Sequence, residues 1–209
     1  MGVIGILKIL FMKVSFFAYK AMYPKLFKGR CSMKSVKFTV SGGGNSINLC
    51  MHNTIEKTSI KLGGNNNSLT LGDGVKLRNL NIVFEGDNNS IVIGAGTYIG
   101  SNCEFAVTEG SQLLIGENCL IAHSCVFRTT DSHKIYVLGG DKPINPVENI
   151  VIGKRCWIGL QSIILKGSHL PDDCIVGARS MVTRKTKADS YSIVAGQPAT
   201  IIKKNVRWA

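Results

Sequence analysis

From Ile152 to Val182 an aliphatic residue returns at every sixth position: Ile152, Ile158, Ile164, Leu170, Val176 and Val182. Gly153, Gly159 and Gly177 follow three of them. Cys156, Ser162, Ser168, Cys174 and Ser180, all small, stand four places after the first five. A helix repeats near 3.6 residues and a strand near two, so a period of six fits neither. It fits a coil with three flat sides, six residues to a side, stacked into a parallel β-helix. One large aliphatic and one small residue per side then fill a narrow interior. The same pattern runs through Ile93, Ile99 and Phe105, with Thr97 and Cys103 in the small slot. It recurs at Ile115, Ile121 and Phe127, with Cys119 and Cys125 there.

Composition agrees with a thin solenoid: aromatics are 7% of the 209 residues and glycine is frequent, with 23 copies. Five of the seven cysteines, Cys103, Cys119, Cys125, Cys156 and Cys174, occupy the small slot and read as core filler in a reducing compartment. The chain lacks the paired CxxC of a zinc site, so no metal is expected. The formal charge of +12 concentrates near residues 8–37 and 154–207. Without a recognition motif or an aromatic platform this does not indicate nucleic acid. A basic C-terminal region suits a phosphate-bearing cofactor, and a basic N-terminal region suits an anionic membrane surface.

A second period appears upstream. Ser46, Ser68 and Ser90 are 22 apart, and Gln112 continues the step. A plain three-sided coil takes about 18 residues, so each larger coil carries about four extra. They are expected to bulge at a corner where Asn65–Asn67 and Asp87–Asn89 stack, since Gly and Asn tolerate left-handed backbone. The count of six breaks between Phe127 and Ile152. The insertion, at about 133–150, carries titratable groups and two prolines, and solenoids project function through such insertions. Residues 1–30 form a separate basic, apolar segment, too interrupted by Lys8 and Lys13 for a spanning helix. Two readings stay open for it: an amphipathic helix on a membrane surface, through residues 1–22, or a helix packed on the solenoid or a neighbouring subunit. The predicted fold is therefore an all-β solenoid over 31–194 with an N-terminal helix and a short cap at 195–209.

Several stretches resemble a known family. They are Asp131-Ser132-His133-Lys134-Ile135, Ile152 through Gly159, Ile164-Leu165-Lys166-Gly167, Val176 through Thr183, and Ala195-Gly196-Gln197-Pro198-Ala199. The chain resembles the left-handed β-helix hexapeptide-repeat acyltransferases, and among them the bacterial sugar and capsular-polysaccharide O-acetyltransferases. The likeness is strong over about residues 90–207. It implies an acetyl-CoA-dependent transferase, active as a homotrimer with sites at subunit boundaries, acting on a sugar or polysaccharide hydroxyl in the cytoplasm or at the inner face of its membrane. It places the general base at His133. Neutral imidazole suits removal of a hydroxyl proton as the bond to an acyl carbon forms, and backbone amides, with Gly139 or Gly140 as candidates, would meet the developing oxyanion. Asp131 is the nearest carboxylate to orient His133, with Glu148 or a backbone carbonyl as rivals. For the cofactor the resemblance implies Trp157, Gly159, Ala178, Thr183, Arg184 and Lys185, the last two for the phosphates. N-acetyl transfer to an amino sugar on the same scaffold is the alternative. A non-catalytic, membrane-docked scaffold is a third reading, which the histidine-bearing insertion disfavours.

Overall fold

The computed structural model describes residue 20, residues 25–29 and residues 31–209. The expected N-terminal helix and the membrane contact of residues 1–22 lie almost wholly outside the described residues. Most of the described residues wind into a parallel β-solenoid of about eight turns, consistent with the left-handed β-helix of hexapeptide repeats. Three sheets form its sides. The first face runs from Phe27–Lys28 to His169–Leu170 in seven strands. The second runs from Cys31–Lys34 to Ala199–Lys204 in nine, and the third from Lys37–Ser41 to Met181–Val182 in seven.

The count of six visits the faces in turn. Ile152 pairs with Leu170 on the first, Ile158 with Val176 on the second, and Ile164 with Val182 on the third. All six side chains are buried. The longer period is equally regular, with Ser46, Ser68, Ser90 and Gln112 in register on the first face.

The small slot is a hydrogen-bonding position as well as filler. Its side chain donates to a corner carbonyl of the following coil: Thr97 Oγ1 to Gly116 O at 2.9 Å, Cys103 Sγ to Ala122 O at 3.1 Å, Cys119 Sγ to Gly153 O at 3.1 Å, Cys125 Sγ to Gly159 O at 3.2 Å, and Ser162 Oγ to Gly177 O at 3.0 Å. Burial pushes the Cys174 thiol up, as expected of structural rather than reactive cysteine. The residue just before the slot takes left-handed backbone at corner after corner, as at Asn102, Asn118, Ser124, Arg155, Gln161, Asp173 and Arg179. Cys125→Ala removes a buried donor, so a loss of about 1–2 kcal/mol is expected. Cys125→Ser keeps the donor and should lose less. Denaturant midpoints would show this, and an alanine variant as stable as the serine one would refute the hydrogen-bonding role.

The four extra residues of the larger coils lie at the corner between the third and first faces. Asn45, Asn67 and Asn89 are buried there. Asn67 N donates to Asn45 Oδ1 at 2.9 Å, Asn89 N to Asn67 Oδ1 at 3.0 Å, and Gly110 N to Asn89 Oδ1 at 2.9 Å. This ladder satisfies backbone groups that the wider corner would otherwise leave unpaired inside the protein.

The inserted loop grows from the same corner, one coil further on, after strand Val126–Arg128 and before Ile150–Ile152. Ser111 Oγ donates to Thr129 Oγ1 at 2.6 Å, and Gln112 N to Asn149 Oδ1 at 2.8 Å, so both feet of the loop stand on the top rung of the ladder. At the C-terminus, Ser192–Gly196 continues the second face in parallel and Ala199–Lys204 folds back antiparallel as its edge.

Candidate active site

The insertion rises as two limbs. Ile144 N donates to Ile135 O at 2.8 Å, Tyr136 and Pro143 form an isolated bridge, and Gly140 N closes the tip onto Val137 O at 2.9 Å. The Gly140 amide is thus engaged in a turn. The tip is apolar and open, with Leu138 wholly exposed.

Lower down, the outgoing limb carries Asp131, Ser132 and His133. Ser132 has φ +68°, a left-handed turn, and the two neighbours have separate surroundings. Asp131 Oδ2 accepts from Lys166 Nζ at 2.6 Å and from Asn145 Nδ2 at 2.9 Å. Lys166 and then Asn145 hold the Asp131 carboxyl below its usual range. The carboxylate is therefore ionised, with its partners, at neutral pH. That contribution is present above the ordinary carboxylate range and is lost only as pH falls through the depressed value.

His133 is exposed and lines a cavity of about 140 Å³ with Glu109, Ser132, Lys134, Asn145 and Pro146. Its imidazole makes no hydrogen bond among the described residues, so both ring nitrogens are open. Asp131 does not bond the imidazole. The link between them is Asn145, whose Nδ2 also donates to the His133 backbone carbonyl at 2.8 Å and whose Oδ1 accepts from Ile135 N at 2.7 Å. Glu148 pairs with Arg184 at 2.9 Å and is likewise engaged elsewhere.

The residues expected to hold a cofactor divide between the two edges of the third face. Trp157, Gly159 and Ala178 lie at its junction with the second face; Thr183, Arg184 and Lys185 lie at its junction with the first, beneath the insertion. Trp157 is 39% exposed. Its ring stands 6.5 Å from that of Trp208, whose indole N–H donates to Arg155 O at 2.7 Å. Gly159 has a packing reason to be glycine: a Cβ there would come within 2.6 Å of the Ala178 amide in the next coil. Arg184 is engaged by Glu148, whereas Lys185 is exposed and forms no ion pair among the described residues. No group of three or more His, Cys, Asp or Glu able to hold a metal occurs among the described residues, and none of their helices is long and apolar enough to cross a membrane.

Asn145 and Lys166 were not singled out as site residues by the sequence. Asn145 was visible only as the residue before Pro146. Lys166 stood inside a regular coil, where nothing in the repeat distinguishes it from a solvent-facing lysine.

Six-residue sides stacked into a parallel three-sheet solenoid are consistent with the left-handed β-helix of hexapeptide repeats. Residues 149–184 match the family model described as the hexapeptide repeat of succinyl-transferase. Among solved structures, the polysialic-acid-specific acetyltransferase NeuO is similar with a TM-score of 0.69 and 29% identity, covering 88% of each chain. The polysialic acid O-acetyltransferase OatWY is similar with a TM-score of 0.64 and 26% identity, covering 88% of this chain and 91% of that one. A curated polysialic acid O-acetyltransferase of Escherichia coli O1:K1 is 32% identical over 78 residues, 37% of this chain and 25% of that protein. A chloramphenicol acetyltransferase of Agrobacterium fabrum is 39% identical over 59 residues, 28% of this chain and 27% of that protein. The matches span about a quarter of the length of these curated relatives. The resemblance carried by the sequence motifs and the solenoid fold both stand.

Proposed function

We propose that this protein is an acetyl-CoA-dependent O-acetyltransferase acting on a hydroxyl of a bacterial surface glycan or its precursor, with His133 as general base. The observation that carries this is His133 itself: an exposed imidazole with no hydrogen bond among the described residues, lining a cavity on a braced loop. His133 differs from His123, whose Nδ1 accepts from Ser101 N at 2.9 Å, and from His169, exposed on a regular strand, in lining a cavity on the insertion. Acetyl-CoA supplies the acyl group as a thioester. His133 takes the proton of the acceptor hydroxyl as the oxygen bonds to the acyl carbon, and passes it to the departing thiol, so the imidazole is regenerated.

Lys185, exposed and without an ion pair among the described residues, and Arg184 fit the phosphates of the donor in charge. The division of the expected cofactor residues between two edges of one face favours a site completed by a neighbouring copy, as in a homotrimer. Lys185→Ala is expected to raise KM for acetyl-CoA about tenfold, the equivalent of one charge-assisted hydrogen bond, with kcat little changed. Steady-state kinetics would check this; an unchanged KM removes Lys185 from the donor site.

The acceptor is proposed from the named specificity of the similar polysialic acid enzymes. Free-thiol release from acetyl-CoA, measured with oligosialic acid, neutral oligosaccharides and glucosamine, tests it. Release dependent on a hydroxyl-only glycan supports the proposal. Release with glucosamine alone moves it to N-acetyl transfer, and none with any of the three refutes the assigned acceptor class.

A further inference from the structure

Lys166 stands directly after Leu165, which pairs with Arg128 at the foot of the insertion. Its side chain is only 9% exposed, a costly place for an ammonium unless it is well paired. It is paired to both limbs at once: Nζ donates to Asp131 Oδ2 of the outgoing limb at 2.6 Å and to Asn145 O of the returning limb at 3.1 Å. Asn145 then relays the connection, bonding Asp131, the His133 carbonyl and the Ile135 amide. Each polar atom of the Asn145 side chain is used. The second clip, Arg184 to Glu148, is about half exposed at the arginine, where an ion pair contributes little.

From this geometry we infer that Lys166 is the positioning residue of the His133 loop, acting through Asp131 and Asn145 to fix the backbone at the base. It does not touch the imidazole, so it is not itself catalytic. The inference rests on the reading of His133 as the base. It adds that the Asp131 carboxylate serves to brace the loop rather than to orient the imidazole. Misplacing a reacting group by about 1 Å can cost on the order of a hundredfold in rate, so a brace of this kind acts on turnover rather than on donor binding.

The test uses the full chain and the variants Lys166→Met, Lys166→Ala and His133→Ala, with acetyl-CoA and the best acceptor of the three above. Lys166→Met, which keeps the shape and loses the charge, is expected to lower kcat by about 10- to 100-fold and to leave KM for acetyl-CoA within about threefold. In Lys166→Ala, added ethylammonium should restore part of kcat while ethanol does not, which a merely structural loss would not show. Independently of activity, exchange of the Ile135 amide hydrogen should accelerate at least tenfold in both Lys166 variants. Unchanged kcat in Lys166→Met overturns the inference, as does a loss without ammonium rescue. If His133→Ala turns over normally, the base assignment fails separately; if no acceptor supports turnover, it is the acceptor class that fails. Ile135 exchange then decides the brace alone: lost protection supports it and retained protection overturns it.

Discussion

His133→Ala should lower kcat for acetyl transfer by about a hundred- to ten-thousandfold, the contribution of a positioned general base. KM for acetyl-CoA should change little, because the side chain stands on the loop and not among the basic residues assigned to the donor. The fold should be unaffected: the imidazole is exposed and makes no hydrogen bond among the described residues, so its removal leaves no unsatisfied partner. The loop is held by the His133 backbone carbonyl and not by its ring, which alanine preserves. Circular dichroism and the denaturant midpoint should match the parent. A variant with normal folding and normal kcat would show that the acceptor proton leaves by another route.

Phe127→Ala should cause the largest loss of stability, about 3–5 kcal/mol for a buried aromatic removed from a core that cannot collapse freely. Phe127 is fully buried and packs edge-on against Phe105 with ring centroids 4.8 Å apart. It pairs in register with Phe105 on one side and Ile164 on the other. Both neighbours lie on rigid strands of stacked coils, so the cavity stays open. Phe127 also precedes Thr129, the first foot of the insertion, so activity should fall at temperatures below the unfolding midpoint. Val92→Ala, on the outside of the first face, is the control and should cost under about 0.5 kcal/mol. Equal midpoints for the two variants would contradict the assignment of Phe127 to a closely packed interior.

The interior was legible in the sequence because the period of six is imposed by the coil itself. Each aliphatic from Ile152 to Val182 sits where the count places it, and the step of 22 predicted the register of Ser46 through Gln112. The small slot was read for its size alone. Its hydrogen bonds to the next coil were not visible, because Cys, Ser and Thr share that slot for volume as well as for their donor. The insertion was legible as a break in the count, and the resemblance singled out His133 among its several titratable residues. The bracing of that loop was not, since Asp131 and Asn145 are 14 residues apart and Lys166 lies a coil away. Such contacts depend on which corner the insertion leaves from, and the corner is fixed only once the coils are stacked. Gly159, which the resemblance gives as a cofactor position, also has a packing reason to be glycine that the sequence did not show: a Cβ there would meet the Ala178 amide of the next coil at 2.6 Å.

Transfer of an acetyl group to a glycan hydroxyl by this chain can be followed on the glycan itself. Incubating the full protein with acetyl-CoA and oligosialic acid, followed by mass spectrometry of the glycan, addresses it directly. The expected result is a mass gain of whole acetyl groups that mild base removes, as it removes esters, and that His133→Ala does not produce. Glycan of unchanged mass beside active thiol release, or an acetyl group that withstands mild base, would contradict it.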